Sequence, residues 1–131
     1  MKLLNRDADY AVRALFYAGR DADAVITAKE IVDELHMPYA FLRGIIQKLQ
    51  KAGIVQTLKG KGGGFVLKKP LTKITLGEVV RAFLADPSML HCSYKKKPCP
   101  KQRTCTLRRR LLGVEANLNK ELDSITIASL L

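Results

Sequence analysis

Apolar residues recur along most of this chain with the period of a helix, and once with the rhythm of paired strands. In DYAVRALFYAG, Val12, Leu15 and Phe16 fall on one stripe, which predicts a first helix starting near Asn5 or Asp7 and ending at Gly19. Thr27 and Glu30 are spaced as a capping box: the hydroxyl accepts from the Glu30 amide while the carboxylate reaches back. They open a short second helix carrying Ile31, Val32 and Leu35. His36-Met37-Pro38 breaks that helix, and Pro38 suits the first turn of the next.

The third segment, PYAFLRGIIQKLQKA, places Leu42, Ile45, Ile46 and Leu49 at i, i+3, i+4 and i+7, one core face. Its other face presents Tyr39, Ala40, Arg43, Gly44, Gln47, Lys48 and Lys51. Gly44 inside a helix costs about 1 kcal/mol relative to alanine, so it needs a reason: close approach to another surface, or local packing. Gly53 stops the helix. IVQTLK, GKGGG and FVLKKP then read as strand, glycine turn and strand, a small β-hairpin. Thr75 and Glu78 form a second capping box, opening a helix through Val79, Val80 and Phe83. From about Thr106 a last long helix carries Leu107, Leu111, Val114, Leu118 and Leu122, a narrow seam suited to one partner helix.

Short helix, tight turn, amphipathic helix with a donor-rich face, then a basic hairpin: this is the order of a winged helix-turn-helix. A helix fits the major groove, where Arg, Lys and Gln read base edges, and phosphates supply most of the affinity. Lys59 and Lys61 flank a glycine-rich tip able to enter the minor groove. The expected fold is therefore mainly α with a small β-hairpin. Residues 1–84 make a winged helix-turn-helix DNA-binding domain, 85–105 a cysteine loop, and 106–131 a long C-terminal dimerisation helix and tail.

Charge sharpens this picture. The chain of 131 residues has a formal net charge of +11, a balance that favours a polyanionic partner. No acid lies between Glu34 and Glu78, where eight basic residues fall, nor between Asp86 and Glu115, where eight more do. Double-stranded DNA is the expected partner; RNA or an anionic membrane surface is the competing class. MKLLNRDADY lacks an apolar signal-peptide core, and no run approaches the roughly 18 apolar residues of a membrane span. A cytoplasmic location without membrane attachment is expected, where disulfide frameworks are rare.

Enzyme chemistry finds no footing. GKGGG leads into a strand rather than a helix N-terminus and lacks the spacing of a phosphate-binding loop. No nucleophile, base and acid set stands out, and His36 and His91 look unpartnered. What remains is the stretch HCSYKKKPCPKQRTCTLRRR. It holds all three cysteines, Cys92, Cys99 and Cys105, among eight Lys and Arg with no acid. Positive surroundings favour the thiolate, the form that ligates metal and attacks. An iron–sulfur cluster, whose assembly is net negative, suits such a field. From spacing alone, zinc with a fourth ligand or a bare thiol switch compete with it.

DYAVRAL, PYAFLRGIIQKLQKAGIV, the wing KGKGGGFVLKKP, ITLGEVV, the three loop cysteines and LDSITIASLL, in that order, resemble the IscR/NsrR-type winged-helix transcription regulators. The resemblance spans essentially the whole chain. It implies that Tyr39, Ala40, Arg43, Gln47 and Lys48 contact the major groove and that the wing from Lys59 through Lys61 to Gly64 reaches the minor groove. It also implies a homodimer on a pseudo-palindromic operator and a cluster held by Cys92, Cys99 and Cys105. IscR-like members carry a histidine ligand where this chain has Arg108, which cannot ligate iron, and tend to carry an acid where it has Arg43. NsrR-like members place an aspartate ligand early in the first helix, donated by the other subunit, and Asp9 matches that position. A [4Fe–4S] cluster with Asp9 is therefore favoured over [2Fe–2S], although a carboxylate at a helix start is also favoured by the helix dipole alone.

Overall fold

The computed structural model describes residues 3–21, 23–60, 63–86, 88, 93–94 and 97–131. Five helices and two small antiparallel ladders follow in order: α1 (Arg6–Ala18), α2 (Ala28–Leu35), α3 (Tyr39–Lys51), β1 (Val55–Leu58), β2 (Gly64–Leu67), α4 (Leu76–Ala82), β3 (Ser93–Tyr94), β4 (Lys97–Pro98) and α5 (Thr106–Ser124). Short 3-10 turns precede α4, at Leu71–Lys73, and close the chain, at Ile127–Leu130. The expected class, a mainly α winged helix-turn-helix with a long C-terminal helix, is the observed one.

Local chemistry explains most boundaries. Asn5 caps α1 by accepting from the Ala8 N–H at 2.8 Å. Both expected capping boxes form, Thr27 with Glu30 and Thr75 with Glu78. His36 ends α2 in the left-handed region, with φ of 52°. Pro38 stands at the N-cap of α3, one residue ahead of the first turn. Its fixed φ and lack of an N–H cost nothing there. Gly53, with φ of 78°, turns the chain from α3 into the hairpin.

The core face expected of α3 is buried in full: Leu42, Ile45, Ile46 and Leu49 pack with Ala11, Leu15, Ile31, Ile54 and Val79. On α1 the stripe is narrower than expected, because Phe16 is only half-buried while Ala8, Ala11, Ala14 and Ala18 carry the contact. In the wing, Val55 pairs with Leu67 and Leu58 with Gly64. Ile26 adds a further rung by exchanging two 2.9 Å backbone bonds with Phe65. A Cβ on Gly64 would lie 2.1 Å from the Ile26 carbonyl oxygen, so only glycine permits that rung.

The C-terminus returns to the same core. Ile127 is fully buried, its N–H donates to the Ile74 carbonyl at 2.8 Å, and the Leu76 N–H donates to the Ile125 carbonyl at 2.7 Å. Arg81 pairs with Asp123 beside Gly77, tying α4 to α5. Lys69 pairs with Glu78, the acid of the second capping box. Burial pushes the Glu78 carboxyl up, but the Lys69 ammonium and the Thr75 N–H and hydroxyl outweigh it and hold it below its ordinary value.

A carboxyl held low stabilises the fold fully above its ordinary pKa of 4.5 and loses that contribution as pH falls through the folded value. Urea midpoints should therefore drop on acidification below that point. Glu78→Gln keeps the cap but not the charge; it should cost about 1 kcal/mol or less at neutral pH and show a shallower acid drop. Identical acid profiles in the two proteins would remove Glu78 from the account.

Candidate functional site

The exposed arc of α3 divides into two edges. Tyr39, Arg43, Gln47, Gln50 and Lys51 face the wing and, with Thr57, Lys59 and Gly60, line one open cleft of about 910 Å³. Tyr39 is 60% exposed, an aromatic surface left open among the described residues. Among the described residues Arg43, Lys51 and Lys59 make no ion pair with an acid. The cleft is thus bordered by uncompensated cations, amides and a phenol, groups suited to phosphate oxygens and base edges.

The other edge carries Ala40, Gly44 and Lys48. The Lys48 ammonium lies 5.4 Å from the centre of the Phe83 ring, a cation–π contact that holds it toward α4 rather than toward the wing. A Cβ on Gly44 would meet nothing within 4 Å. Packing against the described residues therefore does not explain that glycine. Of the expected contact residues, Tyr39, Arg43, Gln47 and Lys59 come together, Ala40 and Lys48 occupy the adjoining edge, and Lys61 lies outside the described residues.

Two residues of the cleft were not legible as contacts. Gln50 Oε1 accepts from the Thr57 hydroxyl at 2.5 Å and from the Thr57 N–H at 3.3 Å. The only available signal was Gln50 standing three residues after Gln47, and nothing local announces its partner seven residues later.

The second expected site is the cysteine segment. Cys92 and His91 lie outside the described residues. Cys99 and Cys105 are half-buried free thiols. Cys105 is the N-cap of α5, its sulfur accepting from the Arg108 N–H at 3.4 Å. The Arg108 Nε is buried and finds no acceptor among the described residues. Buried donors left unpaired cost roughly 1–3 kcal/mol, so an acceptor of some kind suits this spot. Asp9 sits in the first turn of α1, paired with Arg13 at 3.1 Å. Among the described residues no three His, Cys, Asp or Glu side chains gather at one point. No described helix is long and apolar enough to cross a membrane.

The family model Rrf2, described as iron-dependent transcriptional regulator, matches residues 4–131. The HTH-type transcriptional repressor NsrR of Streptomyces coelicolor is 29% identical over 129 residues, which is 97% of this chain and 86% of that protein. Among solved structures, CymR, the global cysteine regulator of B. subtilis, superposes with a TM-score of 0.71 at 20% identity, covering 99% of this chain and 96% of its own. T. potens IscR superposes with a TM-score of 0.69 at 22% identity, covering 99% and 85%. The two structural likenesses speak for the fold.

Since nothing among the described residues requires a glycine at 44, Gly44→Ala should raise stability by about 1 kcal/mol through helix propensity. A chemical denaturation midpoint measures it. A fall in the midpoint would mean that the chain itself needs the glycine.

Proposed function

The chain belongs to the Rrf2 family of transcriptional regulators, and from that premise we propose a homodimeric repressor whose hold on its operator is set by an iron–sulfur cluster. Its relatives and its fold are those of DNA-binding regulators, not enzymes. The observation that carries the DNA assignment is the cleft between α3 and the wing, where Tyr39, Arg43, Gln47 and Lys59 converge without a neighbouring acid. In this reading α3 enters the major groove. Tyr39, Ala40, Arg43 and Gln47 meet base edges, Lys48 meets a phosphate from its place over Phe83, and Lys59 and Lys61 follow the minor groove. Repression is supported by the similarity to the Streptomyces repressor.

A second copy is called for by α5. Leu107, Leu111 and Val114 are 67%, 39% and 55% exposed on a helix of 19 residues, none of which is fully buried. Pairing α5 with its symmetry mate covers that face and sets two recognition helices on one side of a pseudo-palindromic site.

The thiol segment fits an iron–sulfur group by its chemistry. Cys99 and Cys105 are free, and Arg108 offers an unpaired donor next to Cys105 that suits an anionic, acceptor-rich group. Cys92, Cys99 and Cys105 would hold the cluster, with Asp9 of the second copy as fourth ligand and [4Fe–4S] as the type. When bound, the cluster supplies a centre reactive toward nitric oxide, redox state or iron supply. The chain's own part is mechanical. Cys105 caps α5, so the sulfur that would ligate the cluster also fixes the start of the dimer helix. Ligation by Cys92, Cys99 and Cys105 would tie the basic segment to that start, and its loss would leave the cap alone to hold it. The spacing of the two recognition helices then differs between the states, which is the differential affinity a switch requires.

Protein purified without oxygen should show visible absorption and about four iron and four sulfide per chain. Cys99→Ala should abolish both, and holo and apo protein should differ in operator affinity by about tenfold or more, a coupling of ordinary allosteric size. Cys105→Ser should keep the α5 cap yet lose the cluster, while Cys105→Ala loses both. A colourless protein that resists reconstitution would move the cysteines to thiol or zinc chemistry. Equal operator affinity with and without the cluster would sink the regulatory half of the proposal.

A further inference from the structure

Gln50 stands at the last turn of α3, where the helix meets the wing. Its Oε1 takes both bonds from Thr57, the hydroxyl at 2.5 Å and the N–H at 3.3 Å. A backbone N–H can only donate, so the amide atom facing it must be the carbonyl oxygen, and the amide cannot be flipped without losing that bond. The Nε2 group therefore points away from β1. Gln50 is exposed and lines the cleft beside Gln47 and Lys51, and its two N–H groups donate to no described residue.

This orientation limits what Gln50 can read. Recognition of adenine by glutamine uses the amide oxygen to accept from N6 and the amide nitrogen to donate to N7. Gln50 has its oxygen committed, so it is a donor only. Gln47, which makes no such bond within the described chain, keeps both halves of its amide. Position points the same way, because residues near the start of a recognition helix reach base edges and those near its end lie closer to the backbone.

Resting on the DNA-binding reading above, we propose that Gln50 and Thr57 form a positioning device: Thr57 locks the amide and the wing to α3, and the outward Nε2 donates to a phosphate oxygen at the helix–wing junction. The same bond that fixes the wing angle thus registers the protein on the backbone. Sequence preference stays with Arg43 and Gln47.

The test uses the full chain, a duplex selected by this protein from random DNA, and a scrambled duplex, with binding followed by fluorescence anisotropy. Gln50→Ala should weaken binding to both duplexes alike by about tenfold, the size of a hydrogen bond to a charged group. Thr57→Val should show a loss in the same sense without touching the amide, and Thr57→Ser should recover it. The double substitution should bind no more weakly than Gln50→Ala alone, since coupled sites are not additive. A loss confined to one base pair would overturn the phosphate assignment in favour of a base acceptor. Full affinity in Thr57→Val beside a weakened Gln50→Ala would overturn the hydroxyl's part in the lock, the backbone N–H bond being kept in that variant. Thermal melting of each variant separates a binding loss from a folding loss. Arg43→Ala guards the underlying reading: if it too binds both duplexes unchanged, α3 is not the recognition helix and that reading fails instead.

Discussion

One-sided burial of α3 is the constraint on which everything else rests. Leu42, Ile45, Ile46 and Leu49 are sealed against α1, α2 and the start of the hairpin, each burial contributing on the order of 1.5–3 kcal/mol. That anchorage is what allows the opposite arc to carry Tyr39, Arg43, Gly44 and Gln47 to solvent, choices that do nothing for the fold and, at Gly44, work against it. A helix whose outer face is paid for by its inner one can be presented rigidly, and rigidity is what lets side chains be aimed at base edges rather than merely attracted to charge.

Around that helix the contacts form a connected set. Asn5 caps α1 and at the same time donates through Nδ2 to the Phe83 carbonyl at 2.9 Å, so the start of α1 is fastened to the end of α4. The Phe83 ring receives Lys48 from α3. At the other end of α4, Thr75 bridges to Thr126 and Gly77 lies against Asp123, which brings in α5 and the tail. A change at the start of α5, where Cys105 is the cap, is therefore a change in an element joined through α4 to the recognition helix. Physical continuity of this kind is what a switch at the cysteines would act through, with α5 as the element whose placement differs between states.

The parts of the fold that were legible in the sequence are the local ones. Capping boxes at Thr27 and Thr75 are written within four residues, the α3 face within eight, and the hairpin by its glycines. The parts that were not legible depend on partners distant in sequence. Nothing near Ile26 indicates that it pairs with Phe65, nor near Ile127 that it enters the core made by α1 and α4. Pro38 stands at the cap rather than in the first turn that its residue type suggests, because the same dihedral serves both positions. The pairing of Ser93 with Pro98 and Tyr94 with Lys97 involves too few residues for any alternation to show. For the candidate sites the same division holds: the outer face of α3 and the cysteine cluster are visible as patterns, whereas the Gln50–Thr57 bond and the seat of Lys48 over Phe83 exist only once the wing and α4 have packed.

Charge is partitioned along the same line as structure. The acids with ion pairs among the described residues lie on α1, α2, α4 and α5: Asp7 with Arg6, Asp9 with Arg13, Glu34 with Arg20, Glu78 with Lys69 at the foot of the wing, and Asp123 with Arg81. None lies on α3 or on the wing. Exposed pairs of this kind contribute little stability, so their value to the molecule is better sought in what they neutralise. They compensate some of the scaffold's cations, while among the described residues Arg43, Lys51 and Lys59 along the cleft make no ion pair. A uniform +11 would attract DNA to every face and favour no orientation. A positive field along the cleft helps orient the encounter before any base is read, and counterion release there adds to the affinity on which sequence discrimination is superimposed.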